Sequence, residues 1–203
     1  EHQVYLSGYW IDQTEVTNGM YAQCVNEGGC TRPDSAESST RNSYYGNSAY
    51  DNYPVIYVDW YQAEAYCEWV GRELPTEAQW ERAARGTDGR TYPWGNKSPN
   101  SGLANFDRNV GDTTEVGRYP EGASPYGTLD MAGNVWEWVA DWYDSYPSGS
   151  VTDPQGPSMG DYRVIRGGSW LNVELNFRSA NRSGYYPDNS ISDNGFRCSL
   201  SLP

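Results

Sequence analysis

With 203 residues and a formal net charge of −13, the chain is long enough to bury a core in one domain. It is also too acidic to suit nucleic acid or an anionic membrane surface as a partner. Aromatic residues reach 15% (Trp 9, Tyr 18, Phe 3) against a mean hydropathy of −0.82, which argues against disorder and for a loop-rich fold whose core reaches close to the surface.

No apolar run approaches the ~20 residues of a spanning helix, and no signal-peptide pattern opens the chain. The first residue is Glu1 rather than an initiator Met, so the sequence reads as a mature or trimmed product. The one histidine, His2, lies at the terminus, which argues against imidazole chemistry and His-ligated zinc or iron. Four cysteines without CxxC spacing point away from zinc and toward two disulfides, with three connectivities open.

In chain order, Thr17 is placed to cap a helix with Tyr21, Cys24 and Val25 on one face, stopped by Gly28-Gly29. Residues 30 to 52 read as a long polar loop. Val55, Ile56, Tyr57 and Val58 read as a short strand. Asp59 with Gln62, and Thr76 with Gln79, make capping boxes that open a second helix ending at Gly71 and a third running through Ala84. Past Gly86 the helix signals cease, and "NVWEWVADWY" and "YRVIRGGSW" are the strand candidates among frequent Gly, Pro, Asn and Asp. The layout is α+β, one domain over residues 1–203, with no boundary and no solenoid-length repeat.

The ordered motifs "EVTN", "LPTEAQWERAARG", "YPWGN", "LDMAGNVWEW", "RVIRGGSW" and "NGFRC" resemble the formylglycine-generating-enzyme (sulfatase-modifying-factor) family from about Tyr9 to Cys198. The resemblance implies a C-type-lectin-like fold, loop-rich with little regular structure. In the oxidase members a copper-binding cysteine pair follows GGS, and the matching positions here are Asn172 and Phe177. Copper(I) wants thiolates, so no copper is expected and the oxidase reading is disfavoured. The related iron-dependent sulfoxide synthases need a histidine cluster, which this chain lacks. The family's calcium motif falls on Asp130, Gly133, Val135 and Glu137, hard oxygen donors that suit a structural Ca2+. The alternative is that Asp130 caps a turn and Glu137 pairs with an arginine. A second family calcium site near Asn105 and Phe106, with Asp112 as a candidate ligand, stays open. Cys67 and Cys198 match positions bonded in the animal relatives, which leaves Cys24 and Cys30, six apart, for the second bridge.

Between Gly167 and Cys198 a fixed frame ("GGSW", "RSANR", "GFRC") alternates with patternless patches, and Arg178, Arg182 and Arg197 of that frame are candidates for buried pairing. This alternation resembles the variable proteins of diversity-generating retroelements, in which adenine-specific mutagenesis rewrites codons such as AAC. Those proteins share the lectin-like fold. All thirteen patch positions, Leu171, Asn172, Val173, Leu175, Asn176, Ser183, Gly184, Tyr185, Tyr186, Ser190, Ile191, Ser192 and Asp193, hold residues reachable from AAC at its adenines. With Trp170 beside them, they form the candidate ligand surface, and Tyr185 and Tyr186 resemble a paratope.

The expectation is therefore a non-catalytic binding domain displayed outside the cytoplasm, on a bacterial, archaeal or viral surface, with a protein or glycan as ligand. The alternatives are a copper-dependent oxidase acting on sulfatase cysteine, and an accessory sensor domain of a larger signalling protein.

Overall fold

The computed structural model describes residues 2–202. In chain order the elements are β1 (Val4–Tyr5), β2 (Tyr9–Ile11), α1 (Asn18–Asn26), α2 (Trp60–Trp69), α3 (Glu77–Arg85), β3 (Trp136–Trp142), β4 (Val151–Thr152), β5 (Arg163–Arg166), β6 (Arg182–Tyr185), β7 (Asn194–Phe196) and β8 (Ser199–Ser201). Single 3-10 turns at Ser48–Tyr50, Pro120–Gly122 and Glu174–Phe177 punctuate the long loops.

The helices start where their caps require. Thr17 Oγ1 accepts the Met20 amide, and the boxes of Asp59 with Gln62 and of Thr76 with Gln79 are both closed in the two directions. The expected strand at residues 55–58 does not form. Tyr57 sits at φ +56, which breaks the extended run, and the backbone bonds of the segment go to loops, Val55 N to Val16 O and Tyr57 N to Ile191 O. Val55, Ile56 and Val58 are nevertheless buried: hydrophobic pattern set their burial while the backbone went elsewhere.

The central sheet has the order β6-β5-β3-β7, with β3 antiparallel to β5 and parallel to β7, and β6 at an edge. Its two faces belong to different cores, as strand alternation demands. Trp138 and Ile165 join Tyr21, Trp60, Tyr66 and Phe196 under α1 and α2. Their neighbours Val139 and Val164 join Trp80, Ala83, Ala84 and Met131 under α3. Two small sheets, β1-β4 and β2-β8, bring the chain ends against this body.

Both disulfides form. Cys24 and Cys30 close a local loop at the end of α1, and Cys67 of α2 is joined to Cys198 just past β7, 131 residues away. All four cysteines are consumed by these bonds.

Candidate functional site

The C-terminal frame is anchored by buried arginines. Arg197 is fully buried and uses its whole fork: Nε and Nη2 bind the two oxygens of Glu137 at 2.7 Å each, while Nη1 and Nη2 donate to the carbonyls of Asp12, Gln13 and Leu129. Arg166 reaches Glu77 and Glu81, and Arg182 clasps Glu77. Arg178, by contrast, is exposed.

Between β5 and the 3-10 turn, Gly168 sits at φ +71 with its Cα so close to Phe177 that a Cβ would fall 2.7 Å from the phenylalanine Cβ. Ser169 Oγ donates to Asp193 at 2.6 Å, and the Ser169 amide donates to the Asn172 side chain at 2.9 Å. Phe177 is fully buried against Tyr92 and Phe106. The two positions of the oxidase cysteine pair thus carry a turn-closing amide and a core phenyl ring. Neither side chain can hold copper or act as a thiolate nucleophile.

The predicted ligand residues divide into three groups. Val173 and Leu175 stand out into solvent at 51% and 57% exposure, and Tyr186 is exposed as well. Leu171, Asn176, Ser183, Ser190, Ile191 and Ser192 are half-buried at the surface. Ser190 donates to Asp34, and the Ile191 carbonyl accepts the Tyr57 amide. The third group belongs to the frame rather than to a ligand face. Trp170 is buried, its amide donating to Asn134 O, and Asp193 is buried beneath Ser169. Asn172 points inward for its bond to Ser169. Tyr185 packs its ring on the core under α2. Gly184 lies beneath Tyr143, where a Cβ would come within 3.0 Å of the ring. An aspartate, an asparagine and a glycine in a patternless patch carry no sequence sign that they are structural.

One residue at this face lies outside the segment singled out by sequence. Tyr162 stands opposite Tyr186 across the β5–β6 ladder, ring centroids 4.5 Å apart and hydroxyls 3.0 Å apart. Its place immediately before Arg163-Val-Ile-Arg166 was the available signal.

Asp130, Gly133 and Val135 lie on the turn leading into β3 and Glu137 is the second residue of that strand, but they do not fit a calcium cage as arranged. Both Glu137 oxygens are committed to Arg197, and Oε2 also accepts the Trp80 indole N–H at 2.7 Å. Asp130 accepts the Gly117 amide at 2.6 Å. Beside it lies buried Glu15, whose Oε1 accepts from the Asn134 side-chain Nδ2 while Oε2 has no partner among the described residues. Burial first, then the charge of Asp130, drives the Glu15 carboxyl well above its ordinary range, and burial also raises that of Asp130. Asp112 is likewise taken, by Ser38, Thr40 and Arg41. Among the described residues no three acidic, imidazole or thiol groups converge as a metal cage. The guanidinium of Arg197 gathers one carboxylate and three carbonyls at this turn.

No helix among the described residues is long and apolar enough to cross a membrane.

The model of the sulfatase-modifying factor enzyme 1-like domain matches residues 1–202. The serine/threonine-protein kinase pkn1 of Chlamydia caviae is 38% identical over 212 residues, covering 97% of this chain and 34% of the kinase. The formylglycine-generating enzyme of Mus musculus is 42% identical over 163 residues, covering 72% of this chain and 44% of the enzyme. The chain thus spans about a third of the kinase and less than half of the mouse enzyme. Among solved structures, Treponema denticola variable protein 1 superposes with a TM-score of 0.81 at 28% identity, covering 99% of this chain and 87% of that one. The fold is the loop-rich α+β fold of C-type-lectin-like proteins and formylglycine-generating enzymes. On the match of the whole described chain, this protein belongs to the sulfatase-modifying factor enzyme 1-like family.

Proposed function

We propose that this domain is a non-catalytic binding module that presents changeable side chains on a rigid C-terminal platform. The observation that carries the reading is the contrast within one short segment. Asn172 and Phe177 are locked into the frame where an oxidase would need thiolates, while Val173, Leu175 and Tyr186 stand free on the surface. Large apolar side chains held in water are costly unless a partner covers them. The likeness to Treponema denticola variable protein 1 supports retroelement-driven diversification of those positions. Two disulfides support an oxidising setting outside the cytoplasm, on a bacterial, archaeal or viral surface, with a protein or glycan as ligand. A second reading, an accessory domain within a larger signalling chain, is favoured by the near-complete match of this chain to a third of the Chlamydia kinase.

The test has two arms. The purified domain, copper-loaded and aerobic, is incubated with a cysteine peptide, and product is sought by mass spectrometry; no aldehyde product is expected, and copper-dependent conversion sinks the proposal. In parallel, an array of surface proteins and glycans is probed with the domain and with the triple variant Val173→Ser, Leu175→Ser, Tyr186→Ser. Loss of the bound spots at unchanged melting temperature is expected. At the genomic level, an imperfect copy of the 3′ coding end that differs only at adenines, beside a reverse transcriptase, decides the question of diversification.

A further inference from the structure

Four exposed tyrosines form one continuous row that starts on the C-terminal segment and leaves it. Tyr186 stacks on Tyr162 across the β5–β6 ladder. Tyr143, just past β3, donates its amide to the Tyr162 carbonyl at 2.7 Å and lays its ring over Gly184. The guanidinium of Arg182 follows, 4.3 Å from the Tyr143 ring on one side and 4.3 Å from the Tyr146 ring on the other. Exposures of 50% for Tyr186, 39% for Tyr162, 41% for Tyr143 and 49% for Tyr146 leave much of every ring to solvent. The last ring opens onto a broad groove between the β1–β4 ribbon and α3.

Three of the four tyrosines lie outside residues 167–198, so only Tyr186 of the row belongs to the interchangeable patches. Phenol rings supply wide amphipathic contact area at small entropic cost, which is why they dominate binding surfaces. Two arginines stand in the row, and three exposed aspartates neighbour it in sequence. Its arginines are already neutralised or stacked: Arg182 is held by Glu77, and Arg163 is clamped between Trp60 and Trp142 at 3.6 and 3.7 Å. Asp144, Asp161 and Asp188, each one or two residues from a tyrosine of the row, are all exposed. The exposed rings of Tyr162 and Tyr186, with the exposed carboxylates of Asp161 and Asp188 close to them in the chain, are complementary to arginine and lysine side chains.

We propose that this tyrosine row, fixed at Tyr143, Tyr146 and Tyr162 and completed by the interchangeable Tyr186, is half of the binding surface and, with Asp161 and Asp188, takes a cationic protein surface. The proposal rests on the binding-module reading and names the partner chemistry of that face. The other interchangeable residues then select among basic partners that the row holds in common.

The test uses an arginine- and lysine-rich dodecapeptide as probe, titrated calorimetrically into the intact protein at low salt. The variants are Tyr162→Ser with Tyr186→Ser, and Asp161→Asn with Asp188→Asn. The control is Glu37→Gln with Glu121→Gln, which removes equal charge at exposed positions with no contact to the row. Losing two cation–π faces is expected to weaken binding about tenfold in the tyrosine variant, and the aspartate variant is expected to bind clearly more weakly than the control. If the tyrosine variant does not fold, the exposed aspartate pair decides alone. Equal weakening in the control shows general charge attraction and overturns the proposal. Binding of maltohexaose in place of the peptide, lost on mutating Tyr162 and Tyr186, also overturns it, in favour of a glycan. Either result leaves the binding-module reading standing, whereas copper-dependent conversion of a cysteine peptide removes that reading whatever the peptide does.

Discussion

Arg182 and Glu77 grip each other across 105 residues of chain, Nε to Oε1 and Nη2 to Oε2 at 2.7 Å each. Arg182 is the first residue of β6, the edge strand beside the ligand face, and Glu77 is the first residue of α3. This one pair fixes the interchangeable strand to the start of α3, and Arg166 and the Tyr146 hydroxyl share the same carboxylate. Replacing Arg182 by Met leaves Glu77 buried with one cation, and a loss of about 2–3 kcal/mol in urea unfolding is expected. Arg182→Lys recovers less than half of it, because an ammonium cannot reproduce the fork. Full recovery by lysine shows that charge alone holds β6.

The two disulfides contribute unequally. On the loop-entropy model, cross-linking Cys67 to Cys198 is worth roughly 5 kcal/mol and Cys24 to Cys30 roughly 2 kcal/mol, because the closed loops differ so much in length. Thermal melts of Cys67→Ala with Cys198→Ala, against Cys24→Ala with Cys30→Ala, are expected to show the larger fall for the first pair. Equal falls show that the short bridge holds the end of α1 by more than chain entropy.

The Arg197–Glu137 pair makes a sharp statement about calcium. With both carboxylate oxygens taken, millimolar Ca2+ or a chelator is expected to leave the melting temperature of the protein almost unchanged. Arg197→Met strands a fully buried carboxylate at an expected cost of about 3–5 kcal/mol. A rise of several degrees with Ca2+ in the unaltered protein shows that Glu137 and Asp130 give their present donors up to the ion.

How much of this was legible depends on whether the signal was local. Caps act over three residues, so Thr17, Asp59 and Thr76 announced their helices correctly. The Cys67–Cys198 bridge came from resemblance and was confirmed in the fold. Tyr57 defeated the strand at residues 55–58 because a positive φ is imposed by distant partners and leaves no mark on a hydrophobic run. In the ligand face the same logic separated Tyr185 from Tyr186. Adjacent strand residues point to opposite faces, so one ring fills the core and the other meets Tyr162. Nothing in "SGYY" states which is which. The role of Asp193 beneath Ser169 and the reach of the tyrosine row through Tyr143 and Tyr146 are tertiary facts of the same kind.

Asp141 gives the pH dependence its clearest handle. It accepts the Glu77 amide at 2.6 Å in the first turn of α3. Burial is the main cause that lifts its carboxyl from an ordinary value of 3.8 to about 6, the Glu77 amide pulls the other way, and the Glu77 charge lifts it further. Because the folded-state value lies above the unfolded one, the native protein binds this proton more tightly. The cost of keeping Asp141 ionised is therefore fully present above pH 6 and is relieved as pH falls toward 4. Asp141→Asn keeps an oxygen to accept the amide and removes the titration. Glu15, Asp130 and Asp193 are also raised and titrate alike in both proteins, so they cancel in the comparison. The stability of the native sequence relative to Asp141→Asn, followed by urea unfolding, is expected to rise by at most about 3 kcal/mol between neutral pH and pH 4. A difference that stays flat across that window places the Asp141 proton in water-like surroundings. A difference that falls instead would mean that the ionised carboxylate stabilises the start of α3 by more than its burial costs.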